Sequence, residues 1–361
     1  MKILHIDTGR EWRGGQRQAL FLHEGLLASG IESVVVCNED GELCKRIKRG
    51  AIPVHFRGEA DIGFISGLKE IIRREKPEIV HTHDAHSLTP ALFARVTGRG
   101  FKLINTRRVD FSVNKGFISR KKYSNAKVDR VVAISEAIRQ ILIKDGVKPE
   151  KVPVINSGVR FPSSIDYLKV LELRGKYDLD SETFVLGCVA NMADHKDHFT
   201  LLKAYDKFAG ISGNTKLLLV GDGPMTAQIR DFASKLPSSS SIIFTGHTDE
   251  VYEHIALFDV FCMSSKTEGL CTSIIDAFFM GKPVAATKAG GIPELVKHKF
   301  NGLLCNVGDA NGFAENLMQI YDDEPMEAKF AANAYHTALK FSDSAMVSKY
   351  IKLYRELLSG R

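Results

Sequence analysis

The sequence predicts an α/β protein made of two doubly wound, Rossmann-like domains facing across a cleft. Three observations carry this. Short apolar runs alternate with amphipathic stretches along most of the chain, the pattern of parallel strands covered by helices on both faces. That rhythm breaks once, between 157 and 182, and resumes at Phe184. The chain's 361 residues also exceed one typical domain.

The first series places strands at 2–7, 33–37, 53–56, 79–82, 102–106, 130–134 and 152–155. Helices fall at 17–27 (ended by Gly30), 62–74, 87–97 and 136–144. The second series places strands at 184–189, 216–220, 242–245, 260–263, 283–287 and 302–305, with helices between them. The stretch 157–182 is the expected linker. The domains are therefore set at 1–160 and 161–344, with no sequence repeat detectable between them. Open sheets of this kind bind ligands beyond their strand C-termini, so the cleft between the two sheets is the expected site.

Composition excludes several classes. With 44% hydrophobic and 25% charged residues the chain is an ordinary globular protein. Its six cysteines show no C-x-x-C, and Cys37, Cys188, Cys262 and Cys271 adjoin apolar segments. Reduced, buried thiols in a cytoplasmic protein are expected. The opening residues Met1 to Asp7 read as a strand rather than a signal peptide, and no run approaches the roughly 20 apolar residues of a membrane span.

The chain is organised around Ser264 to Gly281. It follows the apolar run 257–263 and opens a helix expected over 274–280, stopped by Gly281 and Pro283. Unpaired amides and the positive dipole end at such a helix start suit phosphate. Glu268, in the loop before Gly269, is better suited to gripping hydroxyls, and Asp276 is a second carboxylate in the helix's first turn. A nucleotide sugar is the simplest ligand to satisfy both. The competing reading is structural: Ser273-x-x-Asp276 fits a capping box and Gly269 only turns the chain.

Other candidates sit at strand ends. Arg13-Gly14-Gly15-Gln16 follows the first strand as a loop in which paired glycines would let backbone approach a ligand, or as a plain tight turn. His81, His83 and His86 invite a metal, but without a fourth ligand zinc is not expected; a strand-tip histidine meeting a sugar hydroxyl or a carbonyl fits better. Asn191 to Lys196 follows the first strand of the second domain, where Lys196 can neutralise phosphate as a point charge. Gly221-Asp222-Gly223, Gly246-His247-Thr248 and Ala289-Gly290-Gly291 end later strands. Gly246 and Thr248 are placed to meet a base. Each is weak alone. Their shared position is the argument.

Between Arg107 and Arg130 lie Arg108, Lys115, Arg120, Lys121, Lys122 and Lys127, interleaved with Phe111, Phe117 and Tyr123. This basic segment is read as a face for an anionic membrane or acidic acceptor glycan, against a plain solvated surface. No nucleic-acid motif accompanies it.

In order and spacing these residues resemble the retaining glycosyltransferases of family 4, which have the two-domain GT-B architecture. The resemblance covers nearly the whole chain. It implies a nucleoside-diphosphate sugar donor, UDP-linked first and GDP-linked next, held by the C-terminal domain. The acceptor, a glycan or glycolipid such as lipopolysaccharide core, would be held by the N-terminal domain, with the enzyme cytoplasmic or peripheral at the inner membrane face. No cofactor or metal is implied, and the final helix, about 345–361, would pack back on the N-terminal domain. Glu268 would hold donor-sugar hydroxyls and Asp276 the ribose. Lys196 and the amides after Cys271, in the run Gly269, Leu270, Cys271, Thr272, would bind diphosphate. Gly14 and Gly15 would close on the diphosphate from the other domain, and His83 would lie near the reacting sugar. Two departures stand out. Position 276 is Asp where the family pattern ends in Glu, and Asn191 stands where an arginine precedes the lysine by five residues. Arg10, Arg13 and Arg107 are the candidates to replace that charge. The alternatives are a non-hydrolysing nucleotide-sugar epimerase of the same fold, and a silent sugar-binding scaffold.

Overall fold

The apolar runs become two six-stranded sheets, each wholly parallel in its described pairings. The computed structural model describes residues 1–97, 100–110, 112 and 121–360. The chain divides into two units: Met1–Arg160 with Phe341–Arg361, and Phe161–Lys340.

In the first unit β1 (Lys2–Asp7), β2 (Glu32–Asn38), β3 (Ala51–Val54), β4 (Ile79–Thr82), β5 (Lys102–Arg107) and β6 (Arg130–Ala133) run in the order β3-β2-β1-β4-β5-β6. The helices are α1 (Gly14–Ala28), α2 (Glu42–Arg46), α3 (Ile62–Glu75), α4 (Ala85–Thr97) and α5 (Glu136–Lys144). The seventh expected strand, 152–155, is reduced to one bridge from Ala133 to Val154. Pro153 supplies its carbonyl to the Ala133 amide at 3.0 Å but has no N–H to extend the ladder.

In the second unit β7 (Phe184–Val189), β8 (Thr215–Val220), β9 (Ile242–Gly246), β10 (Val260–Met263), β11 (Val284–Thr287) and β12 (Gly302–Cys305) take the order β12-β11-β10-β7-β8-β9. Its helices are α6 (Tyr167–Lys176), α7 (His198–Ser212), α8 (Thr226–Ala233), α9 (Val251–Ala256), α10 (Thr272–Phe279), α11 (Ile292–Leu295), α12 (Ala310–Tyr321) and α13 (Glu324–Ala338). The expected linker therefore contains a helix. Asp166 caps α6 by accepting from the Leu168 and Lys169 amides. With Tyr167, Leu168 and Leu171 exposed and only Leu173 buried, its apolar residues do not follow the core-facing pattern that marks a helix in sequence.

The last helix, α14 (Asp343–Ser359), belongs to the first unit and packs on α1. Met346, Val347, Tyr350, Tyr354 and Leu357 join Ile3, Leu22 and Leu26 in one core. Gly25 permits the close approach, since a Cβ there would lie 2.4 Å from Val347 Cγ2. In each sheet the strand order reverses beside the first strand, between β1 and β4 and between β7 and β10. The loops leaving those pairs are where an open sheet offers a ligand site.

Candidate functional site

In the second unit, the loop after β7 ends in a short turn, Asp194–Lys196, and the loop after β10 carries Glu268. The Lys196 ammonium is ion-paired with Glu268 Oε1, which also accepts from the Ser265 hydroxyl at 2.9 Å. Both side chains are largely buried, at 15% and 9% exposed. Burial disfavours the Lys196 charge, but Glu268, with smaller contributions from Cys271 and Cys188, more than reverses this and raises its pKa. The lysine is thus a fixed cation whose partner is a carboxylate. The Ser264 hydroxyl donates to the carbonyls of Lys196 and Asp197 at 3.1 and 2.9 Å, locking the two loops together.

Helix α10 begins two residues earlier than its apolar pattern implies, and Cys271 is its N-cap with φ at +69°. Ser273 therefore lies inside the helix, so the capping-box reading is overturned. Asp276 falls in the second turn rather than the first, is buried, and accepts from the Tyr252 hydroxyl at 2.6 Å. Thr272 opens the helix, Leu270 is buried before it, and Gly269 lies half-buried behind Glu268. Burial first, then the Glu268 charge, pushes the Cys271 thiol up to about 12 against the pull of Lys196. Burial likewise takes Cys188 to about 12, so neither is a thiolate nucleophile at neutral pH.

The glycine turns form the walls. Gly290, at φ +47°, lets the loop after β11 cross Glu268, whose carbonyl would lie 2.0 Å from a Cβ there. The Gly291 amide then donates to that carbonyl at 3.0 Å, and a Cβ on Gly291 would meet the Gly269 carbonyl at 2.4 Å. Gly221 and Gly223 similarly pack on the backbone of Ala190 and Met192, with exposed Asn191 against Gly223. The Gly221 amide donates to the Gly246 carbonyl, and Thr248 accepts from the Glu250 amide at 3.0 Å.

At the corresponding point of the first unit the structure corrects the loop reading of Gly14 and Gly15. They are the first two residues of α1, after the extended N-cap Arg13. Gln16 explains why: its carbonyl oxygen accepts from the Arg13 amide at 3.3 Å while its amide donates to Asp7 at 3.0 Å, tying the helix start to the end of β1. His81 and His83 do lie together, with ring centroids 4.2 Å apart, and His5 on β1 joins them. His86 is exposed on α4 and pairs with Glu59. Burial above all holds His5, His81 and His83 well below the ordinary histidine range, hence neutral.

One nitrogen each from His5, His81 and His83 lie within 4.8 Å of one another. The hydrogen bonds nevertheless spend the lone pairs of two of these rings. Arg108 can only donate, so His83 Nδ1 accepts from it at 3.4 Å; neutral His83 then carries its proton on Nε2 and donates to His5 Nδ1 at 2.9 Å. This leaves no lone pair on His5 or His83 for a metal.

Of the arginines expected to replace the charge missing at Asn191, Arg13 pairs with Glu11. Arg107 is buried and donates to the Tyr123 hydroxyl at 3.3 Å. The basic segment is correspondingly smaller as a surface: Tyr123 is buried, and Lys122 is turned onto Glu59 and the Ala85 carbonyl. Lys115, Arg120, Phe111 and Phe117 lie outside the described residues.

Sequence reasoning missed Asp7, His5, Ser265 and Tyr252, and placed Arg108 only within the basic segment. Only position relative to a strand end could have found Asp7, Ser265 and Arg108. Burial, then the charge of Asp84, pushes the Asp7 carboxyl up to about 6.

Two family models account for most of the chain. Glycosyltransferase Family 4 matches residues 12–161 and Glycosyl transferases group 1 matches residues 170–337. N-acetyl-alpha-D-glucosaminyl L-malate synthase of Bacillus anthracis is 27% identical over 82% of this chain and 80% of its own length. The lipopolysaccharide core biosynthesis glycosyltransferase LpsE of Rhizobium meliloti is 25% identical over 98% of each. Among solved structures, a glycosyltransferase from Rickettsia africae superposes with a TM-score of 0.88 at 21% identity, covering 100% of this chain and 99% of that one. HepE of Anabaena, solved with UDP and glucose, gives 0.83 at 21% identity over 100% of both.

Proposed function

The chain belongs to the family 4 glycosyltransferases and has their GT-B fold. On that premise we propose that it transfers a sugar, with retention of configuration, from a nucleoside-diphosphate sugar to a glycan or lipid-linked glycan at the inner membrane face. UDP is the first choice of nucleotide and GDP the next. Supporting the donor class are a relative from Escherichia coli named as a UDP-Gal-dependent galactosyltransferase acting on a diphosphoundecaprenol-linked sugar (23% identical over 90% of this chain), and the UDP-glucose complex of HepE.

The observation that carries the reading is the buried Lys196–Glu268 pair at the β7/β10 switch point, beside the start of α10. A leaving diphosphate gathers charge as the glycosidic bond breaks. Lys196 and the positive end of the α10 dipole stabilise that charge most in the transition state. Glu268 is already bonded to Lys196 and Ser265, so its role is to orient donor hydroxyls rather than to attack carbon. Transfer on the front face follows: the departing phosphate oxygen takes the acceptor proton as the new bond forms. No divalent metal enters this scheme, so EDTA is expected to leave the rate unchanged.

The test is a thermal-shift screen with UDP, GDP, ADP, CMP and their sugar conjugates, followed by transfer assays on the best donor. Lys196→Ala is expected to lower kcat about 100-fold or more, in the range for loss of one transition-state donor. A kcat within threefold of wild type would sink the scheme.

A further inference from the structure

Helix α6 is held to its own unit along one side. Leu173 is buried, Lys169 pairs with Glu250 at 3.3 Å, and Tyr177, just past the helix, shares a hydrogen bond of 3.0 Å with His254. The opposite side is apolar and uncovered: Tyr167, Leu168 and Leu171 are 71%, 80% and 64% exposed. Spacings of three and four put these side chains on one face, and Gly175 continues it by a further turn. Gly175 is exposed and has no positive φ, and a Cβ there would meet nothing within 4 Å among the described residues. The chain's own packing therefore does not ask for glycine, which weakens a helix relative to alanine. Large apolar side chains on successive turns, ending at an unexplained glycine, are the mark of a face that meets something.

We propose that a second copy of this chain docks there, α6 against α6 in antiparallel about a two-fold axis beside Leu171. The stripe is complementary to itself. Leu171 stands four residues from Tyr167 and four from Gly175, so the axis that sets Leu171 against its own copy brings Tyr167 of each chain over Gly175 of the other. The bare glycine surface admits the ring, and Arg174, held by the Asp180 carbonyl, offers that ring a guanidinium. Charge stays at the rim, where Lys169 pairs with Glu172 at 3.1 Å as well as with Glu250. A lipid surface fits less well, because exposed Asp166, Glu172 and Asp178 flank the stripe and would be repelled by anionic headgroups. The contact removes on the order of half of the ~800 Å² per partner of a standard interface, so the dimer is weak and forms as concentration rises.

The test is sedimentation equilibrium of the full chain at rising concentration, and none of its readouts depends on the transferase reading. The wild type is expected to follow a monomer–dimer isotherm. Leu171→Glu, at an exposed position, should keep the melting temperature of dilute protein and weaken association at least tenfold. Gly175→Ala should move the two readouts in opposite directions: a higher melting temperature in dilute solution, from better helix propensity, and a weaker dimer. Register is read by cross-linking under copper phenanthroline in air. Leu171→Cys should couple to its own copy, and the double variant Tyr167→Cys with Gly175→Cys should link position 167 of one chain to 175 of the other. A single monomeric species at about 1 mM, where even a millimolar Kd would show, would overturn the proposal. So would association that survives Leu171→Glu, or growth beyond a dimer. A monomer that instead binds phosphatidylcholine vesicles, and loses them in Leu171→Glu, would give the face to a lipid surface and sink the dimer.

Discussion

The two units solve the same topological problem with different chemistry. Each reverses its strand order beside its first strand. At β7 and β10 the second unit places a buried ion pair walled by glycine turns. At β1 and β4 the first unit places neutral histidines, a carboxyl of raised pKa and an arginine, Arg108, that makes no ion pair among the described residues. In one the charge is compensated within the chain. In the other, Arg108 and Asp7 act on each other electrostatically without an ion pair among the described residues. The fold therefore dictates where a site lies, and the residues after each strand decide what it holds.

The contrast should be largest in acid. His5, His81 and His83 have depressed folded pKa values, so their stabilising contribution is full above about pH 6.5 and is lost as pH falls, because the unfolded chain takes up protons first. Asp7 opposes them: its folded pKa is raised from 3.8 to about 6, so its penalty disappears as pH falls through that range. Three histidines that resist protonation outnumber the one carboxyl that favours it, so the net effect of acid on this unit is destabilising. In the second unit the largest matching depression is His198, brought to about 4 mainly by burial. The first unit should unfold first on acidification. The chain's single tryptophan, Trp12, lies in that unit and reports it by fluorescence. Trp12 signal outlasting the circular dichroism transition would contradict the assignment.

Next is the ion pair. Glu268→Ala leaves Lys196 buried and uncompensated and should cost roughly 3–5 kcal/mol in urea denaturation. The double replacement Glu268→Leu with Lys196→Met should recover much of that stability while abolishing transfer. A double-variant loss equal to the sum of the two single-variant losses would mean that the pair does not couple. Gly290→Ala follows, at about 2–4 kcal/mol, since it adds a clash with the Glu268 carbonyl to a left-handed φ. A comparison with Gly25→Ala separates the causes. There the obstacle is the Val347 side chain, and Val347→Ala should relieve it; no second substitution should rescue Gly290→Ala.

Most strands were legible because buried parallel strands are short, continuous apolar runs, and 184–189, 260–263 and 302–305 matched to the residue. Glu268 and Lys196 could be singled out because each stands in a loop leaving a strand at the switch point. What sequence could not show was pairing in space. Periodicity does not reveal that Lys196 spends its charge on Glu268, that Asp276 is held by Tyr252, or that Arg107 turns inward while Arg108 reaches the start of α1. Paired glycines directly after a strand suggest a ligand loop or a tight turn, yet the Gln16 tie to Asp7 starts a helix at Gly14.

The smallest effect tests a cost within the second unit's site. Cys271 holds φ at +69°, a conformation that an L side chain adopts at about 1–2 kcal/mol. Glycine would remove that strain but lose more chain entropy on folding, by roughly 0.5–1 kcal/mol. Cys271→Gly should therefore be stable to within about 1 kcal/mol of wild type, on the favourable side. The thiol also packs beside the charges of Lys196 and Glu268. If it only fills space, donor selectivity stays unchanged in the variant. If it shapes the floor beneath the sugar, kcat/KM shifts between two donor sugars on the same nucleotide while stability holds or rises. A melting temperature that falls by several degrees would show instead that the side chain's packing outweighs its backbone strain, and the strain would then be a by-product of packing rather than a cost tied to the site.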